Sequence, residues 1–253
     1  MLTLTQFLLR MSFGLSLAMA ITSPRLVTSG YYRNNLYVLL GMNVLATLVA
    51  WTAPPEAGLV VWPPAAAAVL SYVSGVLWLY EKPTAGIVSL VLISAVTLAG
   101  AWLTLPPQVV SATGSSVLAG LEPLGGGLVL GGTMAAMLLG HWYLNAPGMK
   151  LAPLRKLLIF MAAAIAFRAA TSAWGLVWQL ETFGPLGFRD GLMIGLRWLA
   201  GIVGALVVVV MAWQTLKIPN TQSATGILYV GVLATFLGEL TAQLLSVQGL
   251  SSL

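Results

Sequence analysis

Eight apolar stretches, near residues 2–22, 36–53, 59–80, 86–105, 124–145, 154–180, 190–215 and 224–246, fill most of the chain, and the charges collect mainly in the gaps between them. A helix rises about 1.5 Å per residue and the hydrocarbon core of a bilayer is about 30 Å thick, so a crossing needs about 20 largely apolar residues. Each stretch meets or approaches that length. Only 7% of the residues are charged and 59% are hydrophobic, whereas a soluble domain carries about a quarter charged residues. A soluble fold of 253 residues cannot hide that much apolar surface from water. The pattern predicts an all-α polytopic transmembrane bundle of about eight spanning helices, one integral membrane domain over residues 1–253 with the lipid bilayer as its solvent. Eight spans and their connections leave no room for a water-soluble catalytic head on either side.

Punctuation supports the breaks. Pro54-Pro55, Lys82-Pro83, Pro106-Pro107, Pro147, Pro153, Pro185 and Pro219 lie at or between spans, where a missing backbone N–H costs little. Pro63-Pro64 falls inside the third apolar run, so that span either kinks there or begins there, with proline in its first turn. The longest connection, 106–123, contains one acid, Glu122, and its Val and Leu content predicts a loop lying along the membrane surface. The stretch Leu2–Ile21 has no basic n-region before it, so it reads as a retained first span and not as a cleavable leader.

Orientation follows from Lys and Arg. Arg25, Arg33, Lys82, Lys150, Arg155, Lys156 and Lys217 lie in or beside the gaps after spans one, three, five and seven, seven basic residues against one, Arg189, on the other side. The positive-inside rule then places those gaps in the cytoplasm and both termini outside, in a bacterial-type cytoplasmic membrane. The pI of about 9.8 does not point to nucleic acid, because the positive charges are scattered over loops instead of clustered on a soluble face. They suit loops held against anionic lipid.

With no cysteine, the chain itself cannot supply disulfides, thiolate metal sites, ligands for an iron–sulfur cluster or c-type haem attachment. With one histidine it cannot supply a bis-histidine haem site either. No nucleotide loop, catalytic triad or metal-binding helix motif is present.

Four ionisable residues fall inside spans: Arg10, Arg168, Arg197 and Glu239. A charge at a helix centre costs at least roughly 2.5–3.5 kcal/mol on insertion scales, so each must face protein or water and find a partner. Arg197 and Glu239 belong to consecutive spans and lie at matched distances from the gap near residue 219, which predicts a buried Arg197–Glu239 ion pair. Arg168 has no acid in its own span. It suits an anionic ligand, a quinone carbonyl or a partner subunit's carboxylate, against capture by backbone carbonyls or by Glu239. Arg10 reads as a bundle-facing charge reaching toward the interface. Gly125-Gly126-Gly127 and Gly131-Gly132, at the start of span five, predict close helix packing.

The histidine stands in Gly140-His141-Trp142-Tyr143-Leu144-Asn145, at the end of span five. His141 and Asn145, four residues apart, share a helix face. With Trp142 and Tyr143, and with Lys150 or Arg155 near, they form a candidate polar ligand site in which imidazole and amide hydrogen-bond a quinone carbonyl. An aromatic belt at the membrane interface explains Trp142 and Tyr143 equally well.

Internal echoes are short. Leu36-Tyr37-Val38 recurs as Leu228-Tyr229-Val230 and Val44-Leu45-Ala46-Thr47 as Val232-Leu233-Ala234-Thr235; Arg10 lies 34 residues before Val44 and Arg197 35 before Val232, a faint echo between two span pairs with the same orientation. Such a repeat would be parallel, not inverted.

Two functional classes follow. The first is a membrane-anchoring, quinone-binding subunit of an electron-transfer complex, with other membrane or peripheral subunits as partners and no catalysis in this chain alone. The span count is similar to that of the quinone-binding membrane subunits of polysulfide-reductase-like complexes, on span number and no motif. The second is a small-solute or ion transporter or channel, for which the intramembrane charges speak and the scarcity of acids for ion coupling speaks against. An intramembrane enzyme ranks last, because one histidine and few acids give little to build a reaction centre from.

Overall fold

The computed structural model describes residues 2–53, 55–105, 116–146, 148–218 and 220–247. Among these residues eight helices are long and apolar enough to cross a membrane: α1 (Leu2–Ile21), α2 (Ser29–Trp51), α3 (Trp62–Leu79), α4 (Pro83–Leu103), α5 (Ser116–Asn145), α6 (Ala152–Phe183), α7 (Phe188–Thr215) and α8 (Thr221–Val247). No strand occurs among the described residues. The chain is a multi-pass, all-α membrane bundle. A 3₁₀ turn, Pro55–Val61, leads into α3, and Pro63 and Pro64 sit in its first turn. Of the two readings of those prolines, the structure takes the start and not the kink.

Two helices begin earlier than their hydropathy predicts. α2 starts at Ser29 rather than near 36, because its polar-looking first turns are anchored by aromatic contacts. Tyr31 and Tyr32 are wholly buried. The Tyr32 ring stacks on Trp78 with centroids 3.8 Å apart, and its hydroxyl donates to the Thr22 carbonyl at 2.7 Å. α5 starts at Ser116 rather than near 124 and carries Pro123 in its interior. The expected surface loop therefore gives up residues 116–123 to a helix. The rest of that loop, 106–115, lies outside the described residues, as do Pro54, Pro147 and Pro219.

α1 and α5 form the axis of the bundle, with 78% of the most apolar window of each buried. They approach backbone to backbone at Gly14, Gly127 and Gly131. A Cβ on Gly14 or Gly131 would collide with the main chain of the other helix. α2 and α4 pack on one side of α1, with α3 against both; α6 and α8 pack on α5, and α7 lies across α8 and α6. The outward faces are apolar, as lipid requires: Leu48, Val69, Leu199 and Leu233 are each more than 60% exposed. α7 is wound as a π-helix over Arg197–Gly204. Within that segment Gly201 meets Gly238 of α8 so closely that neither position has room for a Cβ.

The seven basic residues of the gaps stand at one end of the bundle, where α1, α3, α5 and α7 finish. Two of them close helix ends. Arg155 donates to the Leu216 carbonyl after α7 at 3.0 Å, and Lys156 to the Ile21 carbonyl at the end of α1 at 2.8 Å. A helix C-terminus leaves carbonyls without intrahelical partners, and cations near it also complement the helix dipole.

Candidate functional site

Five ionisable side chains from five helices meet in the opposite half of the bundle: Arg10 of α1, Glu122 of α5, Arg168 of α6, Arg197 of α7 and Glu239 of α8. All are at most 4% exposed. Arg10, Glu122, Arg197 and Glu239 stand six to nine residues from the near ends of their helices, on the order of 9–14 Å below them. Arg168 lies 15 residues from the end of the longer α6. The five form one layer, buried from the surface of the bundle.

Arg168 is the hub. Its Nε donates to Glu239 Oε1 at 2.8 Å and its Nη2 to Glu239 Oε2 at 2.9 Å, the two-pronged geometry that a planar guanidinium makes with a carboxylate. The same Nη2 lies 3.9 Å from Glu122 Oε1. Arg10 Nη1 reaches that oxygen at 3.4 Å, and Ser246 Oγ donates to it at 3.3 Å. Arg197 donates from Nη2 to Ser172 Oγ at 2.6 Å and lies in the field of the other four charges. Its Nη1 has no hydrogen-bond partner among the described residues, and neither do Arg10 Nε and Nη2 nor Glu122 Oε2.

The glycines of α5 make the layer possible. A Cβ on Gly126 would lie 2.5 Å from Glu239 Oε2 and 3.5 Å from Arg10 Nη1, and one on Gly125 would lie 3.1 Å from Arg168 Cδ. Bare helix backbone at these two positions leaves the volume that the charged groups fill. The close packing expected of this glycine run is thus packing against charged side chains at Gly125 and Gly126, and against α1 at Gly127.

The expected Arg197–Glu239 pair does not form; Glu239 pairs with Arg168. Matched depth does bring Arg197 and Glu239 into one layer, but depth says nothing of azimuth. The Gly201–Gly238 crossing draws α7 and α8 together on their main chains, and the Arg197 carbonyl itself packs near Gly238. Its side chain turns to Ser172 on α6 instead. Of the readings left open for Arg168, capture by Glu239 is the one the structure shows, with Glu122 of α5 close by. Arg10 is held inside by Glu122 and does not reach the interface.

The residues expected at the other site separate. Trp142 Nε1 donates to Thr28 Oγ1 at 2.9 Å, and the Tyr143 hydroxyl donates to the Lys150 carbonyl at 2.5 Å. Both thereby tie α5 to neighbouring loop backbone or loop side chains. His141 and Asn145 remain on an exposed face. The neighbour of His141 is Tyr229 of α8, with 3.5 Å between the hydroxyl and Nδ1. α5 and α8 are close there because Gly140 faces Thr225. Arg155 points away, to the end of α7.

Glu122, Ser172, Tyr229 and Ser246 were not legible as site residues. Glu122 carried the one available signal, a lone acid between Leu121 and Leu124 at the head of an apolar run. Among the described residues no group of three or more His, Asp or Glu side chains is placed to hold a metal ion.

No protein-family model, curated protein or solved structure matches this chain.

Proposed function

We propose that the protein moves a small solute or ion across the membrane and that the charge layer is the point the solute passes. The observation that carries this reading is the layer itself: three guanidinium groups and two carboxylates buried at one depth among five helices. Burying charges is costly even when they are paired, and well-packed apolar residues hold helices together at least as well. In a membrane, ionisable groups inside the bundle mark solute and ion pathways. The π segment that begins at Arg197 adds to this, since π windings in otherwise regular helices concentrate at functional sites. The reading includes the orientation expected from the basic residues, with the layer in the outer half of a bacterial-type cytoplasmic membrane. Purified protein in liposomes tests it. Chloride, nitrate, acetate, phosphate, potassium and proton fluxes are measured; at least one should exceed that of empty vesicles and fall about tenfold or more in Arg197→Gln. Fluxes equal to those of empty vesicles for every solute would contradict it.

A second reading, a quinone-binding membrane subunit of an electron-transfer complex, is favoured by His141 and Tyr229 standing 3.5 Å apart on an exposed face between α5 and α8. An imidazole N–H there can donate to a quinone carbonyl while the ring lies on apolar helix surface. Quinone extracted with the purified protein, lost in His141→Ala with Asn145→Ala, and copurifying redox subunits would support this reading. Absence of both would remove it.

A further inference from the structure

We infer that Arg197 is the seat of a small monovalent anion, held on the face of the charge layer between α6, α7 and α8. The inference rests on the layer being a ligand site; it does not need the ligand to cross the membrane. Two observations converge on it. The first is charge. Arg168 is matched by Glu239 and Arg10 by Glu122, whereas Arg197, 2% exposed, has a hydroxyl as its hydrogen-bond partner and no carboxylate of the described residues within 4 Å. Three guanidinium groups and two carboxylates leave one positive charge over, in a place where uncompensated charge is most expensive. A single negative charge completes the layer, and a dianion would overshoot it.

The second observation is the set of idle donors. Among the described residues, Arg197 Nη1 and the indole N–H of Trp198, next in sequence, are buried without partners. On α8, Gln243 stands one turn from Glu239 on the same helix face; it is 1% exposed, and neither polar atom of its amide has a partner among the described residues. Buried donors that protein groups do not use are rare. At Arg197 an idle N–H coincides with the unmatched charge, and what satisfies such a guanidinium N–H is an acceptor with negative charge. Ser172, whose oxygen accepts from Nη2, orients the guanidinium and leaves Nη1 to the ligand. A halide or nitrate fits this chemistry.

The test is halide binding to the purified protein in detergent. Thermal unfolding is followed against sodium bromide or nitrate at constant ionic strength, with the much bulkier gluconate as the balancing anion. Wild type should show a saturable rise in Tm. Arg197→Gln should abolish the rise yet melt no lower than wild type in gluconate, because it removes an uncompensated charge. Ser172→Ala should weaken the affinity about tenfold, the loss of one charge-assisted hydrogen bond's positioning, and serves alone if Arg197→Gln does not fold. Anomalous scattering from bromide in crystals gives the position. Density at Arg197 supports the inference. Bromide only elsewhere, no saturable effect in wild type, or a lipid phosphodiester found at Arg197 overturns it. Flux without saturable binding would leave the transport reading and end this one. Binding without flux would do the reverse.

Discussion

Arg168 and Glu239 form the shortest ion pair in the charge layer, and they can be separated experimentally from Arg197. Removing one partner of a buried pair typically costs about 3–5 kcal/mol, because the other charge stays buried alone, whereas replacing both can be nearly neutral. Glu239→Gln should therefore destabilise the protein strongly. Adding Arg168→Gln should restore most of the loss, while adding Arg197→Gln should not restore it to the same degree. A denaturation series on the single and double variants measures this. Equal rescue by Arg168→Gln and Arg197→Gln would contradict the assigned pairing. At this scale the sequence showed that Arg10, Arg168, Arg197 and Glu239 lie inside spans, and that Arg197 and Glu239 share a depth. It did not show who pairs with whom, because pairing depends on helix rotation, and rotation is set by contacts such as Gly201 with Gly238 that one chain of letters does not display. Glu122 was misread for a related reason: an acid followed by proline looks like loop until Arg10, 112 residues away, accounts for it.

Helices are positioned here by where side chains are missing. α1 and α5 touch through Gly14, Gly127 and Gly131, and α7 and α8 through Gly201 and Gly238. Overpacking a filled interior costs typically about 1–3 kcal/mol and sometimes more. Gly14→Leu and Gly201→Leu meet backbone, which cannot move aside as a side chain can, so both should lower Tm sharply and reduce the yield of folded protein. Gly41→Leu and Gly226→Leu meet open space and should be tolerated. Size-exclusion profiles and melting of the four variants distinguish the cases; equal tolerance at all four would contradict the crossings. The existence and rough limits of the helices were legible from hydropathy alone, since lipid leaves the backbone little choice. The starts of α2 and α5 were not. There tertiary contacts, Tyr32 on Trp78 and Glu122 with Arg10, carry polar sequence into helix.

Across the whole molecule the charges are divided by depth and by end. Basic residues cluster at one end of the bundle and close helix termini there, while the buried layer lies toward the other end. Reporter fusions in the gaps should report the ends of α1, α3, α5 and α7 as cytoplasmic and the gap at 106–115 as external. The reverse pattern would invert the placement of the layer. What remains is whether the layer is a site or a clasp. The absence of native cysteine makes one measurement decisive. Ser172, wholly buried and bonded to Arg197, is changed to Cys, and its reaction with small anionic and cationic methanethiosulfonates is timed in intact membranes. A ligand site must open to water, and its extra positive charge must favour anions. Labelling is expected, faster by the anionic reagent and slowed by bromide. A Cys at 172 that neither reagent labels, in protein shown to be folded, would mean a sealed structural layer and would contradict the account.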